Sequence, residues 1–442
     1  MHHRHISPTL LTRPPHLLHE TTSEHERLDG LPPIPDFLHT TYSCQRPTTA
    51  HSLNDPFIFQ LKEIKLSRIL TGDEIGVRAY STAIATLAAY PHKLTSVQEV
   101  LGLPGCDQKI ALLYQEWKET GHIEAVDDIK QDSKLRVLNL FYEIWGVGAV
   151  TAREFYNKGW RDLDDVVEHG WQSLSRVQQI GVKYYEEFQQ KIPRSEVEAI
   201  GNIILEHANK LHKGFQMVIV GGYRRGKSQS GDVDVILTHP NENFTNGFIQ
   251  DIVQALEESK WITHTLTLSL ANSERGQTPV SWKGEGDKRR SGFDTLDKAL
   301  VVWQDPSWPS KAPPDAGKGQ GASSSSTPTP SRDTTPTNPN IHRRVDIIIS
   351  PWKTAGCAIL GWTSGTTFQR DMRRYARTRG LKFDSSGIRS REDGRWVDFE
   401  RKGGNDDNKD SEDAASDLLE KEKRVFEGLG LVWREPWERC TG

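Results

Sequence analysis

The chain is expected to be an α+β protein of several domains, with helical domains in front and a sheet-bearing catalytic part behind. Three observations predict this. Apolar residues recur at helical spacing through the first half, and the pattern changes to short apolar strand-like runs from about residue 214. Two of those runs carry acids: Gly231-Asp-Val-Asp-Val-Ile and Arg343-Arg-Val-Asp-Ile-Ile-Ile. Two short glycine turns, Leu103-Pro-Gly-Cys-Asp and Ile144-Trp-Gly-Val-Gly, lie between helical stretches of the first half.

In chain order, residues 1–53 are rich in Pro, His and Thr and are expected to be disordered, the early histidines included. Helices are expected over Phe57–Leu70, over Asp73–Tyr90 with Asp73 as the N-cap, near Ser96, and from Gln108. Residues 138–208 are read as helical, with turns at Gly146-Val-Gly148 and at Gly181. Strands follow at Phe215–Val220, Asp232–Leu237 and Trp261–Leu266, with a helix at Phe248–Glu258. The Pro/Ser/Thr/Gly tract 305–340 is a flexible insertion. Loop-closure cost grows slowly with length, so it does not prevent the flanking strands from pairing. The chain is basic from Gly361 to Arg391, acidic at 402–413, and closes with a short segment from Leu418. The expected domains are thus 1–53, 54–137, 138–208, 209–357 and 358–442.

At 442 residues the chain is long enough for several cores. Its net charge of -4 means that any nucleic-acid surface is local. Cys44, Cys106, Cys357 and Cys440 form no CxxC pair, which argues against a zinc ribbon or a disulfide scaffold and fits a reducing compartment. No apolar run suits a membrane span or a signal peptide, so a soluble intracellular protein is expected.

The acids carry the chemistry. Residues two apart in a strand share a face, so Asp232 and Asp234 project together while Val233 and Val235 turn away. Asp346 shares a face with Arg344 and Ile348. If the strands are neighbours, the three carboxylates converge, and such a cluster calls for cations. Oxygen ligands suit Mg²⁺, and two such ions about 3.5–4 Å apart are a common device for in-line phosphoryl transfer. A lone strand Asp is usually only solvated or salt-bridged, but strands disfavour Asp, so an Asp-x-Asp in an apolar run is unusual.

Gly221-Gly-Tyr-Arg-Arg-Gly-Lys-Ser228 fits the P-loop pattern G-x-x-x-x-G-K-[ST]. A P-loop must open a helix, and only Gln229 and Ser230 intervene before the expected strand. The expectation is therefore a strand, a glycine turn without a helix, and a carboxylate strand. Arg224 and Arg225 would neutralise a triphosphate there. The two glycine turns between helices look like helix-hairpin-helix elements, whose backbone amides meet DNA phosphates without reading sequence. The second, with Gly146 and Gly148, is the stronger match. In the first, Asp107 replaces the second glycine.

Together with Tyr90-Pro-His-Lys93, Lys183-Tyr-Tyr185, Ile192-Pro-Arg194 and Gly361–Arg374, these motifs resemble the family X DNA polymerases from about residue 55 to 442. The similarity is strongest to the fungal mu-like and lambda-like branch. The resemblance implies a polymerase-beta-like palm behind the helix-hairpin-helix domains and a small nucleotide-binding subdomain at the end. It implies that Asp232 and Asp234 bind both Mg²⁺ ions, with Mn²⁺ as a substitute, and that Asp346 binds the catalytic ion and accepts the primer hydroxyl proton. Gly222, Arg225, Ser230, Gly231, Gly361, Trp362 and Gln369 would contact the nucleotide. Tyr80, Lys109, Gly146, Gly148, Arg344, Arg370 and Arg373 would serve the DNA or the groups beside it. A monovalent cation is implied at the second hairpin.

Departures from the family refine this. Gly361-Trp362 is the pattern of the ribonucleotide-tolerant branch, so weak sugar discrimination is expected. Leu113 stands where a lyase needs its lysine, so no efficient deoxyribose phosphate lyase is expected. Gly231 replaces a histidine of the mu and terminal transferase branch, which argues against template-independent addition. The expected protein is a nuclear, monomeric, gap-filling polymerase of non-homologous end joining. It would act on gapped or broken duplex DNA and dNTP or rNTP, with end-joining factors as partners. The alternatives are a terminal transferase and a non-catalytic DNA-end bridging protein.

Overall fold

The computed structural model describes residues 31–270, 295–308, 338–401 and 418–442. The early histidines, most of the 305–340 tract and the acidic 402–413 stretch lie outside the described residues.

The front half is helical. α1 (Asp55–Thr71), α2 (Glu74–Ala89), α3 (Val97–Gly102), α4 (Gln108–Thr120) and α5 (Glu124–Gln131) enclose a core around Phe57, Leu61, Leu87 and Tyr114. Side chains set the helix starts: Asp73, Ser96 and Asp107 accept from the N–H groups of Gly76, Glu99 and Ile110. α6 (Ser133–Glu143), α7 (Ala149–Asn157), α8 (Arg176–Lys183) and α9 (Tyr185–Gln189) border a second core around Phe141, Phe155 and Trp160. Gly181, expected as a turn, lies inside α8. A Cβ there would overlap the Trp145 carbonyl, so this glycine serves close packing rather than chain reversal.

A short ladder follows, β1 (Ile192–Pro193) against β3 (Gln229–Ser230). The main sheet has the order β2 (Gln216–Ile219), β4 (Val233–Thr238), β7 (Arg343–Ile349), β6 (Asp297–Trp303), β5 (Ile262–Ser269). Only β4 and β7 run parallel; the other neighbours are antiparallel. Strand alternation gives the sheet two unlike faces. Val233, Val235, Leu237, Val345, Ile347 and Ile349 pack against α10 (Arg194–Leu211) and the later helix Phe248–Glu258. On the other face Ile236 and Ile348 lie under a helix at Ala355–Thr363. β6 has no counterpart among the sequence expectations. The tract between β6 and β7 is pinned at its base: Asn338 and Asn340 donate to the Asp305 carbonyl at 2.7 and 2.9 Å, and Gln304 donates to the Asn340 carbonyl at 2.7 Å.

In chain order the remaining helices are α11 (Gly221–Arg224), α12 (Phe248–Glu258), α13 (Ala355–Thr363), α14 (Thr366–Thr378) and α15 (Leu418–Gly428). With β8 (Leu381–Asp384), β9 (Gly387–Ser390) and β10 (Trp396–Val397), the last three build a C-terminal core around Phe368, Met372, Phe383 and Phe426. No helix among the described residues is long and apolar enough to cross a membrane.

The expectation of disorder through residue 53 is corrected for residues 31–53. Leu38 is fully buried in the first helical core and Cys44 in the C-terminal core. Sparse but well-spaced apolar residues anchor a segment that composition alone marks as polar. Leu38→Ala should therefore lower the urea unfolding free energy by about 2–5 kcal/mol. An unchanged midpoint would mean that the segment is not packed.

Candidate active site

The parallel ladder of β4 and β7 sets Asp234 directly beside Asp346. Asp232 stands just ahead of β4, and its Oδ2 lies 3.3 Å from Arg344 Nη2, which also donates to the Gly231 carbonyl at 3.1 Å. Burial, then Asp232 and Asp346, push the Asp234 carboxyl well above the ordinary range. Burial, then Asp232, push Asp346 up to about 7, while Arg344 and Lys298 oppose the rise. Lys298 comes from β6, so sequence reasoning missed this neighbour along with its strand.

The glycine turn before β4 differs from expectation. It contains one helical turn, α11, because Arg224 and Arg225 donate back to the carbonyls of Val220 and Gly221. Gly221 has φ 61, and a Cβ on it would overlap the Asp234 carboxylate. This glycine thus gives the acid its place. Ser230 is buried in β3 with its hydroxyl toward Gly222, and Lys227 donates its N–H to the Gly222 carbonyl at 3.2 Å.

Arg224, expected as a phosphate ligand, is committed elsewhere. It holds Glu422 of α15 through both terminal nitrogens at 3.0 and 2.7 Å and also donates to Thr363 Oγ1. Glu422 is fully buried and binds Arg439 as well, at 2.6 Å. Burial would raise the Glu422 pKa, but Arg439 and Arg224 outweigh it and hold it below the ordinary value. Arg225 donates to the Thr363 carbonyl at 2.7 Å, so the turn is latched to the end of α13.

α13 carries Gly361 and Trp362. Gly361 is buried; Trp362 is half-buried, and its Nε1 has no hydrogen-bond partner among the described residues. At the start of α14, Gly365 is obligatory, because a Cβ would overlap the Thr441 carbonyl. Gln369 caps the junction by donating to the Ser364 carbonyl at 2.6 Å. Arg370 pairs with the adjacent Asp371 at 3.0 Å, and Arg373 is exposed on the same helix.

In the front half, Tyr80 and Lys109 come together. The ammonium lies 5.8 Å from the ring centre, in a pocket of about 200 Å³ also lined by Arg68, Asp73 and Gly105. Leu113 is half-buried against the first helical core. At the second hairpin, Gly146 has φ 88 and Gly148 starts α7 with no side-chain cap. The space around Gly148 is open.

The donor set suits a hard divalent cation: every candidate ligand is a carboxylate oxygen, and acid repels acid within a buried floor. As it stands, no group of three or more His, Cys, Asp or Glu among the described residues is arranged to hold a metal ion. A cation would need to draw Asp232 from Arg344.

An Asp-x-Asp strand paired with a third Asp, behind a glycine turn, defines the nucleotidyltransferase class. Family models narrow the class. Residues 52–123 match a helix-hairpin-helix domain, 139–189 the fingers domain of DNA polymerase lambda, 191–352 the DNA polymerase beta palm, and 358–440 the DNA polymerase beta thumb. A DNA polymerase type-X family protein, pol4, of Schizosaccharomyces pombe is 30% identical over 91% of this chain and 67% of its own length. DNA polymerase lambda of Arabidopsis thaliana is 28% identical over 86% of this chain and 60% of its own length. DNA-directed DNA/RNA polymerase mu of Homo sapiens is 28% identical over 78% and 65% respectively. The chain spans about three-fifths to two-thirds of these relatives' lengths. It belongs to the family X DNA polymerases, in their mu and lambda branch.

Two outcomes follow from this geometry. Gly221→Ala should displace Asp234 and destabilise the protein. Asp346→Asn should raise the melting temperature of metal-free protein at pH 7.5, by about 2–4 °C for each kcal/mol of repulsion relieved. The Asp346 pKa is higher folded than unfolded, so the native state holds the extra proton between about pH 4 and 7. The wild-type protein should therefore lose stability as the pH rises through that window, and the gain from Asp346→Asn should vanish near pH 4. A scan showing the same gain at both pH values would contradict the repulsion.

Proposed function

We propose that the protein is a template-directed DNA polymerase that fills short gaps in duplex DNA, acting in the nucleus in non-homologous end joining. The observation that carries this is the register of Asp234 against Asp346 beside the latched glycine turn. When bound, divalent cations, Mg²⁺ with Mn²⁺ as a substitute, supply charge neutralisation at the triphosphate and activation of the primer hydroxyl. Asp232, Asp234 and Asp346 hold them. Asp346 accepts the hydroxyl proton, directly or through a relay. Arg225, Gly222, Ser230 and Gly231 receive the triphosphate, and Gln369 with Gly361-Trp362 receives the base and sugar. Arg344 orients Asp232, and Arg370 and Arg373 take the template side. Gly148 and the amides after it take a duplex phosphate, with a monovalent cation at the same hairpin.

Three refinements belong to this reading. Gly361-Trp362 supports weak discrimination against ribonucleotides, and the human relative's name, a DNA/RNA polymerase, points the same way. Tyr80 and Lys109 support binding of the 5′-phosphate across the gap, while Leu113 leaves no lysine at the expected lyase position. The chain acts as a monomer, with end-joining factors as its partners.

The test is primer extension with Mg²⁺ on gapped, paired-end and single-stranded primers side by side. Extension is expected on the first two and absent on the third, with dNTP and rNTP used at comparable efficiency. Asp346→Asn should cost at least about a hundredfold in rate while retaining affinity for the gapped duplex. Borohydride should trap no adduct with an abasic site. Strong dNTP preference would overturn the sugar reading, and extension of single strands would favour the terminal transferase.

A further inference from the structure

The segment Asp36–Thr48 lies outside all four matched family regions, yet it touches both ends of the molecule. Leu38 sits in the first helical core and Cys44 in the C-terminal core. Between these anchors the backbone N–H of Ser43 donates to Asp371 Oδ2 at 3.0 Å. The other carboxylate oxygen, Oδ1, accepts from Arg370 Nε at 3.0 Å and lies 3.0 Å from Arg370 Nη2. Asp371 itself is buried, so these partners govern where its carboxylate sits. Arg46, also buried, feels the Asp371 charge and donates to Thr86 Oγ1 at 2.7 Å. That hydroxyl in turn donates to the carbonyl of Pro104 in the first hairpin. At the far end, Thr48 exchanges backbone hydrogen bonds with the C-terminal tail: its N–H donates to Glu438, and Cys440 donates to its carbonyl.

We propose that Asp36–Thr48 is a strap that positions the template-side arginine, with Ser43 and Asp371 as the positioning residues and Arg370 as the group they aim. This rests on the polymerase reading above, which gives Arg370 its template. The physical need is visible. A partly exposed arginine has many rotamers, and a carboxylate gripping both Nε and Nη2 selects among them. That carboxylate is held in its turn by an N–H donor from a separate, doubly anchored segment. The same strap spans the first helical core and the C-terminal core, and the Arg370 charge reaches Lys65 of the first domain, whose pKa is lowered by burial, then Lys62, then Arg370.

The test is a double-mutant cycle. Ser43→Pro removes the N–H donor with little else. Tyr42 before it is already extended at φ -114, ψ 137, as a residue preceding proline must be. The Ser43 hydroxyl has no hydrogen-bond partner among the described residues, so its loss costs no bond seen there. Single-nucleotide incorporation on a gapped duplex is measured for wild type, Ser43→Pro, Arg370→Ala and the double variant. Ser43→Pro should lower kcat/KM about tenfold, and in the Arg370→Ala background it should have no further effect. If Ser43→Pro fails to fold, Asp371→Ala carries the same cycle, because it removes the acceptor of the Ser43 N–H together with the grip on Arg370. Losses that multiply, or wild-type kcat/KM in the single strap variant, would overturn the relay. A wild-type chain inactive on gapped duplex would instead overturn the polymerase reading, and the relay with it.

Discussion

The structure depends on the parallel pairing of β4 with β7. A parallel pair has one allowed partner for each residue, and here Asp234 meets Asp346. Slipping β4 by one residue would turn Val233, Val235 and Leu237 out of the helix-covered core and bring Asp234 into it. The apolar face thus enforces the polar one. Like charges are held together by a ladder that they cannot loosen, and their repulsion becomes a standing demand for cations. Gly221 completes the constraint by leaving room for the Asp234 carboxylate.

The same logic explains how the glycine turn joins the C-terminal subdomain. Glu422 lies buried between Arg224 and Arg439, so the turn contributes one charge and the C-terminal subdomain two to a shared ion cluster. Removing one partner of such a buried pair typically costs about 3–5 kcal/mol, because the remaining charge stays desolvated. Arg225 reaches the Thr363 carbonyl beside this cluster. α13 is therefore not free to move independently of the acids. A shift of α13 must break charge-assisted bonds on the turn that leads into the Asp-x-Asp strand.

Much of this was legible in residues. Strand alternation at Asp232–Leu237 and Arg343–Ile349 placed the acids on one face, and the cap Asp73 marked a helix start. Three features were hidden, each for a physical reason. Leu38 and Cys44 are isolated apolar residues in a polar segment, and periodicity needs several residues before it can register. Arg224 and Arg225 are identical neighbours, so only the position of Glu422, almost two hundred residues away, separates the latch from the residue nearer the acids. Gly181 looks like punctuation because the carbonyl that requires it, that of Trp145, is not local to it. Long-range contacts decide each case, and a single sequence does not display them.

The two hairpins show how small that difference can be. In both, a glycine with positive φ reverses the chain, Gly105 at 84 and Gly146 at 88. At the first, Asp107 accepts from the Ile110 N–H and adds a negative charge at the start of α4. An anion approaching those amides meets a carboxylate already in place. At the second, Gly148 offers no side chain, the space where its Cβ would lie is open, and α7 begins there with the helix dipole behind it. A phosphate is therefore favoured at the second hairpin and disfavoured at the amides of the first. Two basic side chains, Arg68 and Lys109, line the pocket on the flank of the same turn, beside Tyr80 and the acids Asp73 and Asp107. One turn thus presents backbone amides and the other presents side chains. The substitution of an acid for a glycine is what separates them.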